Sequence, residues 1–427
     1  MKGVNFFALS CFSSEVYSNL VPNFRNLRSV HELNTRKKID LKPWDQRVDP
    51  NPLPSIDELA DTITDCEIDD ILDQITGKNS GVIIRRFKPE AYWLWKQWKG
   101  TVLYHSLGKA AFNMCAAFVA CLLLKKISSG EWSIGVSPNS VDPENPIVAR
   151  LKVLEKVWSL MMGLTTFFIT FFVGQAYNLW REFYIICRSI QGRLNDLFIL
   201  LATHGGRNRN DASTYSPQAL ALLQDVGRQL RAYHILMWAG CTRRFRALLT
   251  NRGLTRMVVR GLITQREKDT LDKLNLPQTQ KYNAFLVWSV IRCNEALRKK
   301  ILVGDPTALT QIILEKACAL RGVVGSIGDQ LDGRMPLAYA HFVQILVDSF
   351  LILAPFAQYA QLGAFSVLSI GILTIFYSGL LDLAKVFLDP VDNEDYCQGS
   401  VHIDIAVLIL EVNAGSTRFK DGGAFLC

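Results

Sequence analysis

SFLILAPFAQYAQLGAFSVLSIGILTIFYSGLL, residues Ser349 to Leu381, carries no charged side chain. At 1.5 Å per residue a helix crosses a hydrocarbon core of about 30 Å in about 20 residues. The run is too long for one crossing and predicts parts of two membrane helices joined by a tight turn. On its N-terminal side, Met335 to Val347 is uncharged apart from His341, so the first helix of the pair is expected to start near Met335 and to hold Asp348 within it. Val157 to Leu179 (VWSLMMGLTTFFITFFVGQAYNL) is also uncharged and long enough to span alone. Ala110 to Leu124 is shorter, but Lys109, Lys125 and Lys126 sit at its ends, where their stems lie along lipid and their ammonium groups reach the headgroups. The expectation is an all-α integral membrane protein with four spans, near 103–125, 157–179, 335–357 and 362–386.

Hydrophobic residues make up 49% of the chain and charged residues 20%, and the charges cluster between the spans. A wholly soluble fold would have to bury all four apolar runs in one core, which their length argues against. The net charge of +8 calls for no nucleic acid. Lys and Arg gather in Arg85 to Lys99 and at Arg181, Arg188 and Arg193, as the positive-inside rule expects of segments on the cytosol-like side. Both termini and the middle segment are assigned to that side, with Lys125 and Lys126 on the opposite face. The ten cysteines are scattered, with no C-x-x-C pair and no cysteine-histidine cluster at zinc spacing, so they read as buried or lipid-facing thiols. Neither a G-x-x-x-x-G-K-[ST] loop nor G-x-S-x-G nor H-E-x-x-H occurs, and no enzyme activity is expected.

At the N-terminus, Met1-Lys2 before VNFFALSCF fits either a short targeting signal or an ordinary cytosolic segment. Asp40 to Pro54 has a linker composition, and Ile56 to Ile75 (IDELADTITDCEIDDILDQI) predicts a helix with an acidic face, either docked on a basic surface or solvated. Between the second and third spans the pattern is helical. Phe183, Ile186, Ile190, Leu194 and Leu197 form one stripe, which predicts that the second membrane helix continues beyond the membrane or hands over to another helix. Gly205 to Tyr215 reads as a polar loop. Ser216-Pro217 opens a helix running toward Thr250, Thr264 and Glu267 form a capping box, Asn275-Leu276-Pro277 stops that short helix, and Lys281 to Ile301 is amphipathic. The expected organisation is a variable segment 1–80, a main membrane domain 81–413 whose cytosolic part is 181–334, and a tail 414–427.

Taken in order, GLITQREKDTL, KYNAFLVWSVIRCNEALRKKIL and ALRGVVGSIGDQLDGRMPLAYAHFVQ resemble successive segments of the bestrophin family, the last holding Pro336-Leu337-Ala338-Tyr339 in place of the family's P-L-x-Y motif. Upstream, FKPEAYWLWKQWKGTVLY and FFVGQAYNLWREFY are similar to the helix that leads into the first span and to the end of the second. Downstream, LLDLAKVFLDPVDNEDY resembles the aspartate-rich Pro-Phe-Gly segment, and VHIDIAVLILEVN the closing helix. The resemblance covers roughly Arg85 to Asn413.

The resemblance implies a homopentameric channel for chloride and/or bicarbonate, embedded in lipid, with one pore on the fivefold axis lined by the second span. It implies a hydrophobic neck around Gly163, at Leu160, Leu164 and either Phe168 or Val157, and an inner constriction at Met335 with Pro336. The acidic stretch Asp389 to Asp395 stands where calcium-gated members hold the ion. Here Val391 and Asp392 replace the Phe-Gly pair and the acidic run is shorter, so no cofactor is expected and calcium is only a weak alternative at Asp392, Glu394 and Asp395. Asp348 reads either as a pore or proton-linked group or as a structural partner of His341 or another polar neighbour. His341 reads as a packing donor, with a pH sensor as the other reading. A coupled transporter, hinted at by Asp348 and Pro355, and a non-conducting membrane scaffold are the alternatives. Multi-pass insertion leaves the plasma membrane and organelle membranes, plastid membranes included, all open.

Overall fold

A computed structural model describes residues 53–77, 81–84, 87–98, 101–130, 132, 145–274, 276–393 and 402–423. Among the described residues there are thirteen α-helices, no β-strand, and two isolated β-bridges, Gly205 with Leu302 and Arg207 with Tyr215. The first three helices are α1 (Ile56–Thr62), α2 (Asp65–Thr76) and α3 (Ala91–Trp95). Three segments are long and apolar enough to cross a membrane: Val102–Ser129 (α4), Pro146–His204 (α5) and Leu337–Phe387.

The last of these is bent back on itself. It comprises α11 (Leu337–Leu362), a 3₁₀ turn at Gly363–Phe365, and α12 (Ser366–Phe387). Gly363 makes the reversal with φ 53° and ψ −126°, a conformation that a Cβ disfavours. The two arms are antiparallel: the Phe350 and Tyr377 rings lie 4.8 Å apart, and Lys385 Nζ donates to Gln344 Oε1 at 2.9 Å. α12 runs antiparallel to α4, tied by Lys109 Nζ to Asp382 at 2.7 Å and by Asn113 Nδ2 donating to Thr374 Oγ1 at 3.1 Å. At their closest approach Gly371 faces the Met114 thioether, which a Cβ there would meet at 2.5 Å. α11 runs antiparallel to α5. Trp158 stacks on Phe350 at 4.7 Å and donates from Nε1 to the Phe350 carbonyl at 2.9 Å, while Phe172 meets Tyr339 at 5.6 Å.

α5 is the axis of the protein. Asn145 caps it by accepting from the Ile147 N–H at 2.9 Å, Pro146 occupies its first turn, and it runs 59 residues, about 90 Å at helical rise. Its first part buries Trp158, Ile169, Phe172 and Ala176 in the apolar bundle. Its last part buries Phe183, Ile190, Leu194 and Leu197 in a second core. The second membrane helix therefore continues into the body.

That body is built from α6 (Pro217–Cys241), α7 (Asn251–Val259), α8 (Gln265–Lys273), α9 (Tyr282–Arg298), α10 (Pro306–Asp332) and α13 (Ile405–Gly422). The Ser216 cap and the capping box of Thr264 with Glu267 form as the sequence predicts. α6 stops at Cys241 rather than running toward Thr250. The Arg243 N–H donates instead to Asn393 Oδ1 at 2.8 Å, and a 3₁₀ turn at Arg246–Leu249 precedes α7.

The acidic segment Ile56 to Ile75 forms two helices, because Ile63 and Thr64 are extended and Ser55 and Thr64 each open a capping box. Of the two readings, docking is the one realised, and the basic surface belongs to this chain. Asp69 pairs with Arg256 and lies 3.5 Å from Arg260, which reaches Asp73 at 2.8 Å. Beneath them Ile68, Leu72 and Ile75 are fully buried. Asp69→Asn is expected to weaken this docking by about 1 kcal/mol, since the pairs are partly exposed. Faster limited proteolysis within residues 53–77 would report it, and an unchanged cleavage rate would assign the docking to the apolar contacts alone.

Candidate functional site

Within the bundle α5 shows its own chain only one face. Trp158, Thr165, Ile169, Phe172 and Ala176 turn inward. On the other side Leu160 (75% exposed), Leu164 (56%), Phe167 (65%) and Phe171 (50%) follow the helical spacing begun by Val153 and Val157 and are left uncovered. One turn further on the same face becomes polar, with Gly174, Gln175 and Asn178 all exposed. Asn178 lies eighteen residues after Leu160, five turns at 3.6 residues per turn, and so on the same line.

Leu160 and Leu164 both stand on the uncovered line. Phe168 lies at its edge, half-buried, its ring edge-on to Phe342 at 5.1 Å. Phe167 and Phe171 share the line, and reading the uncharged run at alternating three- and four-residue steps from Val157 would have found them. Met335 and Pro336 fall in the link between α10 and α11. Met335 is half-buried against the bundle, and Pro336 caps α11 with its ring exposed.

Asp348 is exposed and its carboxylate accepts from Gln344 Nε2 at 2.8 Å, a polar neighbour one turn earlier on the same helix. His341 is exposed two turns before Asp348. Gln344 in turn accepts from Lys385, whose ammonium stands 3.9 Å from Asp382, the partner of Lys109. Four charges and one amide thus form a chain between α4, α11 and α12. Lys109, expected at the headgroups, pairs with Asp382 inside the bundle instead, and the Asp382-x-x-Lys385 spacing is the sequence signal for that cluster.

In the acidic turn, the buried Asp389 accepts from the Asn393 N–H at 2.9 Å, and Asn393 Nδ2 donates to the Cys241 carbonyl at 3.0 Å. Asp392 has φ 56°. Glu394 and Asp395 lie outside the described residues. Among the described residues no three His, Cys, Asp or Glu side chains are grouped to hold a metal ion.

The strongest electrostatic feature lies in the body. Arg228 donates to both oxygens of Glu267, at 2.6 and 2.9 Å, and to Asp225 at 2.5 Å. Burial alone would raise the Glu267 carboxyl, but donors from Arg228, Gln229 and the Thr264 backbone outweigh it and hold the group down at about 2. His234, buried in α6, accepts from Trp238 Nε1 at 2.9 Å, and burial lowers its imidazole to about 3, keeping it neutral.

An antiparallel apolar bundle, a long helix uncovered along a line that turns from apolar to polar, and a helical body around the same helix define a multi-span helical membrane protein. A family model described as "Bestrophin, RFP-TM, chloride channel" matches residues 150–407, and the chain belongs to the bestrophin family. The fold is similar to the crystal structure of a bacterial bestrophin homologue from Klebsiella pneumoniae, with TM-score 0.52 and 13% identity over 74% of this chain and 98% of that one. It is equally similar to a point variant of that protein, with TM-score 0.54 and 14% identity over 76% and 99%. No curated protein matches the chain.

Proposed function

We propose that the chain assembles as a homopentamer around one pore lined by α5 and conducts small monovalent anions, chloride and/or bicarbonate. Family membership supports an anion channel. The observation that carries the pore reading is the coverage of α5. It is the least covered of the three apolar segments, with 22% of its apolar stretch buried against 28% and 33% for the others. Its uncovered line is apolar at Leu160 to Phe171 and polar at Gln175 and Asn178. Lipid would satisfy only the first half; copies of the same helix around a water-filled axis satisfy both.

In this reading α4, α5, α11 and α12 each cross the membrane once, with the body on the cytosol-like side. Leu160 and Leu164 form the neck, Phe167 and Phe171 continue it, and Phe168 braces it against Phe342. Apolar rings close such a passage by dewetting. Met335, with Pro336, forms the inner constriction. The proposal assigns no gating step to calcium, and the chain Lys109, Asp382, Lys385, Gln344 and Asp348 serves as a tie between helices.

Current across a planar bilayer holding the purified protein, under a chloride gradient and then with bicarbonate replacing chloride on one side, tests this directly. A reversal potential that follows the anion gradient is expected. Silence from correctly assembled protein would overturn the channel in favour of a transporter or a scaffold. Met335→Ala is expected to change permeability ratios among anions by about twofold or more while leaving gating unaltered, as a wider apolar ring demands less dehydration. Identical ratios would remove Met335 from the constriction.

A further inference from the structure

We infer that the amides of Gln175 and Asn178 form a bicarbonate-selecting stage just inside the apolar neck, an inference that rests on the pore reading above. Several polar side chains elsewhere in the bundle are spent on partners in their own chain. Thr166 donates to the Met162 carbonyl at 2.8 Å and meets the Tyr377 hydroxyl at 2.7 Å, Asn113 donates to Thr374, and Gln344 donates to Asp348. Gln175 and Asn178, both exposed, have no such partner among the described residues. An uncommitted amide facing hydrocarbon is costly, whereas facing a water-filled axis it costs nothing and is free to hold a passing ion.

The two amides differ from the neck above them in what they offer an ion. Each presents N–H donors and a carbonyl acceptor. Chloride can only accept hydrogen bonds. Bicarbonate accepts through its carboxylate oxygens and donates through its hydroxyl, so it can use both halves of the amide, and a ring of amides discriminates between ions that an apolar neck treats alike. With no formal charge the ring holds an anion weakly enough to release it. Gly174 gives the stage room, since a Cβ there would meet nothing within 4 Å. Arg181, exposed one turn further inward, raises the local anion concentration.

The test is the bi-ionic reversal potential with chloride on one side of the bilayer and bicarbonate on the other. Asn178→Leu keeps the branching of the side chain and removes both donor and acceptor. It is expected to lower the bicarbonate-to-chloride permeability ratio about threefold or more, because the bicarbonate hydroxyl loses a hydrogen bond that chloride never makes. Asn178→Gln is expected to keep the wild-type ratio. Unchanged ratios in both Asn178→Leu and Gln175→Leu, in protein whose neck variants do alter conductance, would overturn the amide stage and leave the pore standing. Should neither neck nor amide variants change the current, the pore face itself is misassigned. If Asn178→Leu fails to assemble, as judged by size-exclusion elution, Gln175→Leu and Asn178→Ala carry the same measurement.

Discussion

Alanine at both Leu160 and Leu164 is expected to raise steady anion current by roughly tenfold, equivalent to about 1.4 kcal/mol off the barrier to wetting the neck. Both side chains stand on the uncovered line of α5, at 75% and 56% exposure, so truncation removes little packing within the subunit. In the proposed ring of five the missing volume would be multiplied, and the narrowest apolar stretch would shift toward Phe167 and Phe171. Single replacements should give smaller increases of the same sign. Current and gating that stay at wild-type levels in the double variant, with assembly intact, would show that this line faces lipid and that another face of α5, or another helix, borders the pore.

The second large effect is expected far from the membrane. Glu267 closes the capping box of α8 and accepts from both Arg228 and Gln229, so Glu267→Gln removes a charge that the buried part of Arg228 depends on. A cost of about 2–3 kcal/mol is expected, at or below the range for breaking a buried pair because both side chains keep some solvent access. That corresponds to a melting temperature lower by roughly 2–3 °C in detergent. The pH dependence follows from the sign of the shift. The folded carboxyl titrates at about 2, below its ordinary 4.5, so its contribution is complete above 4.5 and is lost as pH falls toward 2. The stability gap between wild type and Glu267→Gln should therefore be constant from neutral pH to about 5 and close below that. A gap that persists at low pH would assign the effect to packing rather than charge.

The membrane half of this fold is legible because lipid imposes a coarse rule: long uncharged runs must be helices, and the reversal between α11 and α12 falls at Gly363 inside the run of Ser349 to Leu381. The continuation of α5 into the body was legible for a similar reason, since the stripe from Phe183 to Leu197 keeps helical phase. What escaped were long-range pairings. Periodicity marks Ile56 to Ile75 as amphipathic, but nothing local says that α7 and its C-cap would present Arg256 and Arg260 to it. In the same way Asp348 stood out alone, because Lys109, Asp382, Lys385 and Gln344 are brought to it by the packing of three helices. At the pore line, the uncharged run by itself could not separate Phe167 from Phe168. One turns outward and the other packs on Phe342, a distinction made by the approach of α11.

α5 contains no proline after its first turn and is continuous from Pro146 to His204. Such a rod acts as a lever. Between Leu194, held in the body, and Leu160 at the neck lie 34 residues, an arm of about 50 Å. Each degree of tilt at the inner end therefore carries Leu160 sideways by about 0.9 Å. In a fivefold ring a tilt of a few degrees, moving every rod outward together, would change the bore by more than the width of a water molecule. In the proposed channel, ligands or partners that nudge the body would need no separate relay to reach the neck.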